Sequence, residues 1–116
     1  MAGRMTFGDF LRVPYLLRST SVRSEDGHWL RHVSYPELPD CSATAAGLLG
    51  AMDDLDRRRV HVILDLLSAG RRPPLPRAPI TGVSPVAELR RLGLSELIEL
   101  VDHDEPHLHR YHGKGT

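Results

Sequence analysis

The stretch YPELPDC, residues 35–41, sets two prolines around Glu37 and Leu38, between an alternating segment and a helix-like one. Proline has no N–H and disfavours helix in the residue before it. Pro36 and Pro39 are therefore expected to hold the chain extended and to stop a strand ladder from continuing. The stretch predicts a rigid exit from a hairpin into the next element.

The residues before this stretch predict a β-hairpin. Residues 13–23 alternate along a first strand that includes Tyr15. The dipeptide DG at 26–27 is a turn signal, because it readily supplies the positive φ values of a hairpin turn. Residues 28–35 return as the second strand. One face of that strand carries Trp29, Arg31, Val33 and Tyr35.

The residues after the stretch predict one long helix and an extended exit. In residues 46–69 apolar side chains recur at three- and four-residue intervals, which makes an apolar stripe that Arg59 interrupts. Gly70 is placed to end the helix, and the proline-rich residues 71–79 are expected to continue in an extended state. A short further strand over residues 80–83 is one option.

The C-terminal third predicts short helices and a polar tail. Ser84 before Pro85 has the pattern of an N-cap with proline at the first helical position. Residues 84–102 then form two short helical pieces around Gly93, and residues 103–116 a His-rich tail that is expected to fray. A helix, glycine, helix sequence also occurs in DNA-reading motifs, but these pieces are short and acidic residues surround them. Dimerisation or packing on the sheet is favoured, and DNA binding is doubtful.

The composition excludes several functional classes. The 116-residue chain has 41% hydrophobic and 26% charged residues, which fits one small globular domain. Its formal net charge of zero and its 5% aromatic content argue against a non-specific nucleic-acid binder. Cys41 is the single cysteine and is expected to be a small buried side chain. Without disulfides or an apolar run near the roughly 20 residues of a membrane span, a cytoplasmic protein is expected.

The sequence offers no arrangement typical of catalysis. Two-metal nuclease chemistry needs several carboxylates converging from strands, and the predicted strands contain no Asp or Glu. The tail carries metal-ligating side chains, but a flexible tail does not supply the fixed geometry of a closed site. The side chains considered there are His103, Asp104, His107, His109 and His112. We therefore expect no catalytic residues, no metal, no cofactor and no enzymatic activity.

Short segments in a defined order carry a family resemblance. They are FLRVPY at 10–15, EDG at 25–27, PELPDC at 36–41 and, after the long helix, GRRPPLP at 70–76. In this order they resemble the HicB-like antitoxin domain, over residues 7–83. The resemblance implies an α+β class, a reduced RNase H-like fold in the order β-β-β-α-β, with a small antiparallel sheet and one long helix packed across it.

The resemblance also implies a function. HicB proteins belong to type II toxin-antitoxin systems, in which they bind HicA, a small mRNA-cleaving toxin, and cover its active surface. This chain departs from the family's pattern before and at the start of the long helix. The family has glycine where this chain has Asp40, an N-capping threonine where it has Gly47, and acidic first-turn residues where it has Leu49 and Gly50.

We therefore predict a non-catalytic protein that acts through protein-protein interaction, as an antitoxin neutralising a HicA-like toxin. The alternative is an accessory protein of the same fold that binds and supports an unrelated enzyme, for example a biosynthetic one. Arg18, Arg23 and Arg31 are expected to steer an acidic partner surface. A homodimer formed through residues 84–102 is a further expectation. The predicted partner-binding residues are Tyr15, Arg18, Trp29, Arg31, Tyr35, Pro36, Glu37, Leu38 and Pro39.

Overall fold

The structure of the chain, a computed structural model, describes residues 4–114. The predicted α+β class is confirmed: an antiparallel sheet, one long helix packed across it and short C-terminal helices. The elements are α1 (Phe7–Leu11), β1 (Arg18–Arg23), β2 (Trp29–Ser34), β3 (Ser42–Ala45), α2 (Leu48–Ser68), α3 (Pro85–Arg91), a 3₁₀ helix (Ser95–Leu100) and α4 (Glu105–Lys114).

The chain divides into two compact units. Unit 2 runs from Tyr15 to Val62 and contains the sheet, whereas unit 1 contains the residues before and after it. The division falls inside α2, so this helix contributes to both units. Among the described residues, no helix has the length and apolar character needed to cross a membrane.

The sheet of unit 2 has the strand order β1-β2-β3, and both pairs are antiparallel. In the first pair Arg18 lies opposite Ser34 and Arg23 lies opposite Trp29, as the predicted hairpin requires. The first strand is shorter than the predicted 13–23, because residues 13–17 form no ladder. Pro14 lacks an N–H, and the backbone N–H of Leu16 donates instead to the Glu37 carboxylate at 2.7 Å.

The stretch at 35–41 turns the chain back on itself, so the prediction that it leads straight into the helix was wrong. The N–H of Tyr35 donates to the carbonyl of Cys41 and the N–H of Leu38 to the carbonyl of Tyr35, each at 3.0 Å. The stretch thus connects β2 to β3, a strand of only four residues that pairs back onto β2. We call residues 35–41 the shoulder. Asp40 takes a positive φ of 51° there, in the left-handed region that favours glycine.

The part of α2 inside unit 2 packs across the sheet. Val33 on β2, the central strand, and Leu55 on α2 are both fully buried. Arg59, which interrupts the apolar stripe in the sequence, is also buried, with its guanidinium 6.0 Å from the centre of the Tyr35 ring. Its Nε lies 3.7 Å from the Asp56 carboxylate, so the interruption is compensated by charge.

Unit 1 begins with α1, a helix that the sequence patterns did not predict. Thr6 and Asp9 form a capping box: the Asp9 N–H donates to the Thr6 hydroxyl at 3.1 Å, and the Thr6 N–H donates to the Asp9 carboxylate at 2.9 Å. Gly8 permits a close approach, since a Cβ there would lie 2.7 Å from Cγ1 of Val101. Its N–H donates to the Val101 carbonyl at 2.8 Å.

The exit from α2 follows the sequence prediction as far as residue 75, and the chain bends at residues 76 and 77. Gly70 has a φ of 75° and ends the helix, as expected, and residues 71–75 carry no helix or strand. Pro73 is fully buried. Residues 80–83 form no strand, because the chain turns at Thr81 and Gly82, so the fourth strand of the predicted order is not formed.

The C-terminal segment matches the predicted caps but not the predicted tail. The Ser84 hydroxyl accepts from the Ala87 N–H with Pro85 at the first helical turn, and Gly93 takes a φ of 75° between the two helical pieces. Residues 105–114 form α4, so the tail is helical there rather than frayed.

The second helical piece, after Gly93, is a 3₁₀ helix of six residues. The apolar residues Leu94, Leu97 and Leu100 are buried within the chain itself. A second copy is therefore not needed to cover them.

Candidate functional site

The most exposed part of the sheet is the hairpin of β1 and β2. All six residues of β1 are exposed, including Val22, and β1 lies at the edge of the sheet. Trp29, the first residue of β2, has 60% of its surface exposed. We call β1 together with Trp29 and Arg31 the hairpin surface.

Arginines flank the tryptophan on one face of the hairpin. Residues opposite one another in the register share a face, so Arg23 lies beside Trp29, and Ser21 lies beside Arg31. The Arg23 guanidinium carbon stands 5.0 Å from the Trp29 ring centre, a cation-π contact, and Arg31 Nη1 donates to the Ser21 hydroxyl at 3.2 Å. The arrangement holds an aromatic ring and two cations in place at the surface.

Apolar side chains extend this surface along the chain. Leu16 and Leu17, just before β1, are 51% and 45% exposed, and Val22 is 37% exposed. By the register, Arg18 and Val22 are on the face opposite Trp29, and both are exposed. The hairpin surface therefore covers both faces of the edge strand, and its aliphatic, aromatic and arginine side chains are of types found at protein interfaces.

The other predicted partner-binding residues, Tyr15 and those of the shoulder, divide into buried and exposed ones. Leu38 is 3% exposed and Tyr15 is 8% exposed, so both belong to the buried part of unit 2. Tyr35 donates its hydroxyl to the Asp56 carboxylate on α2 at 2.7 Å. Glu37 accepts from the Leu16 N–H, as described above. Pro36 and Pro39 are exposed and complete the outer side of the shoulder.

The shoulder is therefore fixed to α2 by a polar network. Tyr35 and Arg59 both approach Asp56, and Arg58 Nε donates to the Asp40 carbonyl at 3.2 Å. The rings of Tyr15 and Tyr35 lie 6.4 Å apart. The network holds the chain between β2 and β3 at a fixed position on the helix.

The tyrosines and the cysteine at the shoulder have raised pKa values, which favours their neutral forms. Burial raises the pKa of Tyr15 to about 12 and, with the Asp56 hydrogen bond, raises the pKa of Tyr35 further. Burial also raises the pKa of the Cys41 thiol from 9.0 to about 11, and Cys41 is only 3% exposed, which confirms the predicted small buried side chain. A nucleophilic thiolate needs the opposite shift in pKa. The network supports the fold rather than covalent chemistry.

Two histidines near the C-terminus, His103 and His107, lie close together. The rings of His103 and His107 lie 5.5 Å apart, and His107 and Arg4 both contact the Asp104 carboxylate at 3.4 Å. Within the described part of the chain, no group of three His, Cys, Asp or Glu side chains is arranged to hold a metal ion. The side chain of His112 lies outside the described residues.

Unit 1 also contains an open cavity of about 310 Å³ beside the end of α2. Its volume is at the lower end for ligand pockets. Glu105 at its rim receives two hydrogen bonds from the Arg72 guanidinium, at 3.2 and 3.3 Å. The lining residues are Leu67, Gly70, Arg71, Glu105, Pro106 and His109.

The sequence patterns missed the serines and Val22 of β1 as part of the surface. The signal for them is the composition of β1, RSTSVR, which has no apolar alternation to bury and is therefore typical of an exposed edge strand.

No family model matches the chain, and no curated protein or solved structure matches it either.

Proposed function

We propose that this chain is a non-catalytic cytoplasmic protein that binds a protein partner through its hairpin surface. The observation that carries the proposal is the exposure of Trp29, 60% of whose surface is open to solvent between two arginines. Tryptophan and arginine dominate the binding energy of protein interfaces. An aromatic ring of this size gains most by being buried, and the chain leaves it open.

The partner that we propose is an mRNA-cleaving toxin of the HicA type, which this chain neutralises as an antitoxin by covering its active surface. Two structural features support the HicB-like resemblance on which this rests. Three antiparallel strands precede the long helix, with PELPDC between the second and third strands. Asp40, at the position where the family has glycine, takes a φ of 51°, a conformation that favours glycine.

The absence of catalysis in the proposal rests on the state of the nucleophiles. Cys41 is buried with a raised thiol pKa, and Tyr35 donates its hydroxyl to a carboxylate. The pKa of each group is raised, which is opposite to the lowered pKa of an activated nucleophile. These side chains therefore serve the shoulder, and the hairpin surface serves the partner.

A co-purification experiment tests this function. The intact protein and two variants, Trp29→Ala and Leu49→Ala, are expressed in the native host, and co-purifying species are identified by mass spectrometry. Leu49 is the matched control because it is 82% exposed and lies on α2, away from β1 in sequence. The captured partner is then assayed for RNA cleavage, alone and with each form of the chain.

We expect the captured partner to be a ribonuclease. The wild-type chain and the Leu49→Ala variant should suppress its activity, whereas the Trp29→Ala variant should leave it active. If the partner is instead a larger enzyme whose activity requires the chain, the antitoxin hypothesis is wrong and the accessory-subunit hypothesis takes its place. A partner held equally well by both variants would show that the hairpin surface is not the binding site.

A further inference from the structure

The outer edge of β1 has unpaired backbone groups at defined positions. Ser24 donates its N–H to the His28 carbonyl at 2.8 Å, where the hairpin closes. Hydrogen-bonded and non-hydrogen-bonded pairs alternate along an antiparallel ladder. From this starting point Val22, Thr20 and Arg18 direct their backbone groups toward β2, and Arg23, Ser21 and Ser19 direct theirs to the free edge.

The edge is regular enough to accept another strand. The register from Arg18 to Arg23 is continuous, with no bulge, and β1 contains no proline. Natural edge strands are usually protected by proline, bulges, inward charges or covering elements. On β1 the only such device is an arginine at each end.

The charge of the strands selects the kind of strand that can be added. β1 and β2 together carry Arg18, Arg23 and Arg31 and no acidic residue. The acids of the hairpin, Glu25 and Asp26, lie in the turn beyond the end of β1. An added strand with acidic residues at its ends would therefore meet unlike charges.

A second copy of β1 offers no charge complement to this edge. It would bring two more arginines and no carboxylate beside Arg18 and Arg23. An acidic segment would bring unlike charges to the same positions. The charge of the edge therefore favours an acidic segment over a second copy.

We propose that the outer edge of β1 binds an extended acidic segment of the protein partner, which adds to the sheet as a further strand. This inference rests on the proposed function, because it states how the partner is held. Main-chain hydrogen bonds from Ser19, Ser21 and Arg23 supply the pairing, and the arginines select acidic over basic segments.

The test uses two blocked peptides, EVTVTVE and KVTVTVK, with the full chain and amide hydrogen exchange followed by NMR. With EVTVTVE, exchange slows at Ser19, Ser21 and Arg23, by roughly tenfold at about 90% occupancy, because bound amides are protected. Thr20 and Val22 already donate to β2, so their exchange changes little. KVTVTVK has no effect, and added salt weakens the EVTVTVE effect.

Two variants make the test specific to the edge. Ser21→Pro removes an outward N–H and leaves the β1–β2 ladder intact, because edge strands tolerate proline where the N–H points away from the sheet. This variant should abolish the slowing of exchange by EVTVTVE. Ser21→Ala is the matched control, since it also loses the hydroxyl that accepts from Arg31, and it preserves the effect. The double variant Arg18→Glu, Arg23→Glu keeps the amides and reverses the preference to KVTVTVK.

Several results would overturn the inference. Equal responses to both peptides would remove the charge selection, and a response unaffected by Ser21→Pro would place the peptide elsewhere. Protection of Ser19 and Ser21 that grows with protein concentration alone would identify a second copy as the occupant. A captured partner that depends on Trp29 but protects no β1 amide would leave the proposed function standing and refute the added strand.

Discussion

Tyr35→Phe separates the stabilising role of the shoulder from the binding role of the hairpin surface. Trp29 begins β2 and Tyr35 directly follows it, and the sequence places both in the partner site. The structure gives them opposite surroundings: the Tyr35 hydroxyl donates to Asp56 at 2.7 Å, whereas Trp29 is 60% exposed. Removing the hydroxyl is therefore expected to change the free energy of unfolding and to leave partner binding unchanged.

The magnitude follows from the charge and burial of the bond. A hydrogen bond to a charged group contributes about 1.5–3 kcal/mol. Asp56 keeps Arg59 at 3.7 Å after the change, so the lower part of that range, about 1.5–2 kcal/mol, is expected. This corresponds to a fall of roughly 6–8 °C in Tm for a domain of this size. Trp29→Ala, which loses one exposed cation-π contact, should cost only about 0.5–1 kcal/mol.

The free energy of unfolding is measured by urea unfolding, followed by circular dichroism. The proteins compared are the wild type, Tyr35→Phe, Asp56→Asn and the variant that carries both changes. A double-mutant cycle should give a coupling of about 1 kcal/mol between Tyr35 and Asp56, since they are in contact. Partner affinity is measured well below the Tm of each variant. A stability loss under about 0.5 kcal/mol for Tyr35→Phe, or a loss of affinity greater than that of Trp29→Ala, would refute the division between shoulder and surface.

Three further predictions concern single positions. Asp40→Gly should be more stable than Asp40→Ala by about 1–2 kcal/mol in urea unfolding, because φ is 51° there; equal stabilities would contradict the left-handed conformation. Burial raises the pKa of folded Cys41 from 9.0 to about 11, so its stabilising contribution is complete below pH 9 and is lost as the pH rises toward 11. Cys41→Ala should therefore flatten the fall in Tm over that window, and an unchanged pH profile would exclude a titrating Cys41. Ser84→Ala should lower stability by about 1 kcal/mol through loss of the α3 cap, whereas Ser84→Asp should retain it.

The sequence predicts the elements that have a long periodic pattern, and those marked by a residue with a strong conformational preference. The hairpin follows from alternation and the Asp26-Gly27 turn, and α2 from a stripe sustained over many turns. The N-cap at Ser84 follows from its hydroxyl side chain, and the helix end at Gly70 follows from the ease with which glycine takes a positive φ. In each case the local preference and the tertiary structure agree.

The elements that the sequence patterns did not locate are short or depend on contacts distant in the chain. The resemblance implied a third strand before the helix without giving its position: β3 has four residues, SATA, whose small side chains give no periodic signal, and it forms because the shoulder turns the chain back onto β2. In α1, Asp9 takes the place of the Glu or Gln of the usual capping-box pattern. The predicted binding residues Tyr15, Tyr35 and Leu38 have the right composition for an interface, and only the packing reveals that they are already in use.

Val33 links the fold of the sheet to the orientation of its hairpin surface. A slip of one residue in the β1–β2 register would move every side chain of β2 to the opposite face. Val33 is fully buried, so such a slip would expose it and drive His32 or Ser34 toward the core, at a cost of a few kcal/mol. The register that buries Val33 also keeps Trp29 beside Arg23 and directs the N–H groups of alternate β1 residues outward. The edge is consequently ordered before any partner arrives, and binding does not have to meet the entropy cost of ordering it.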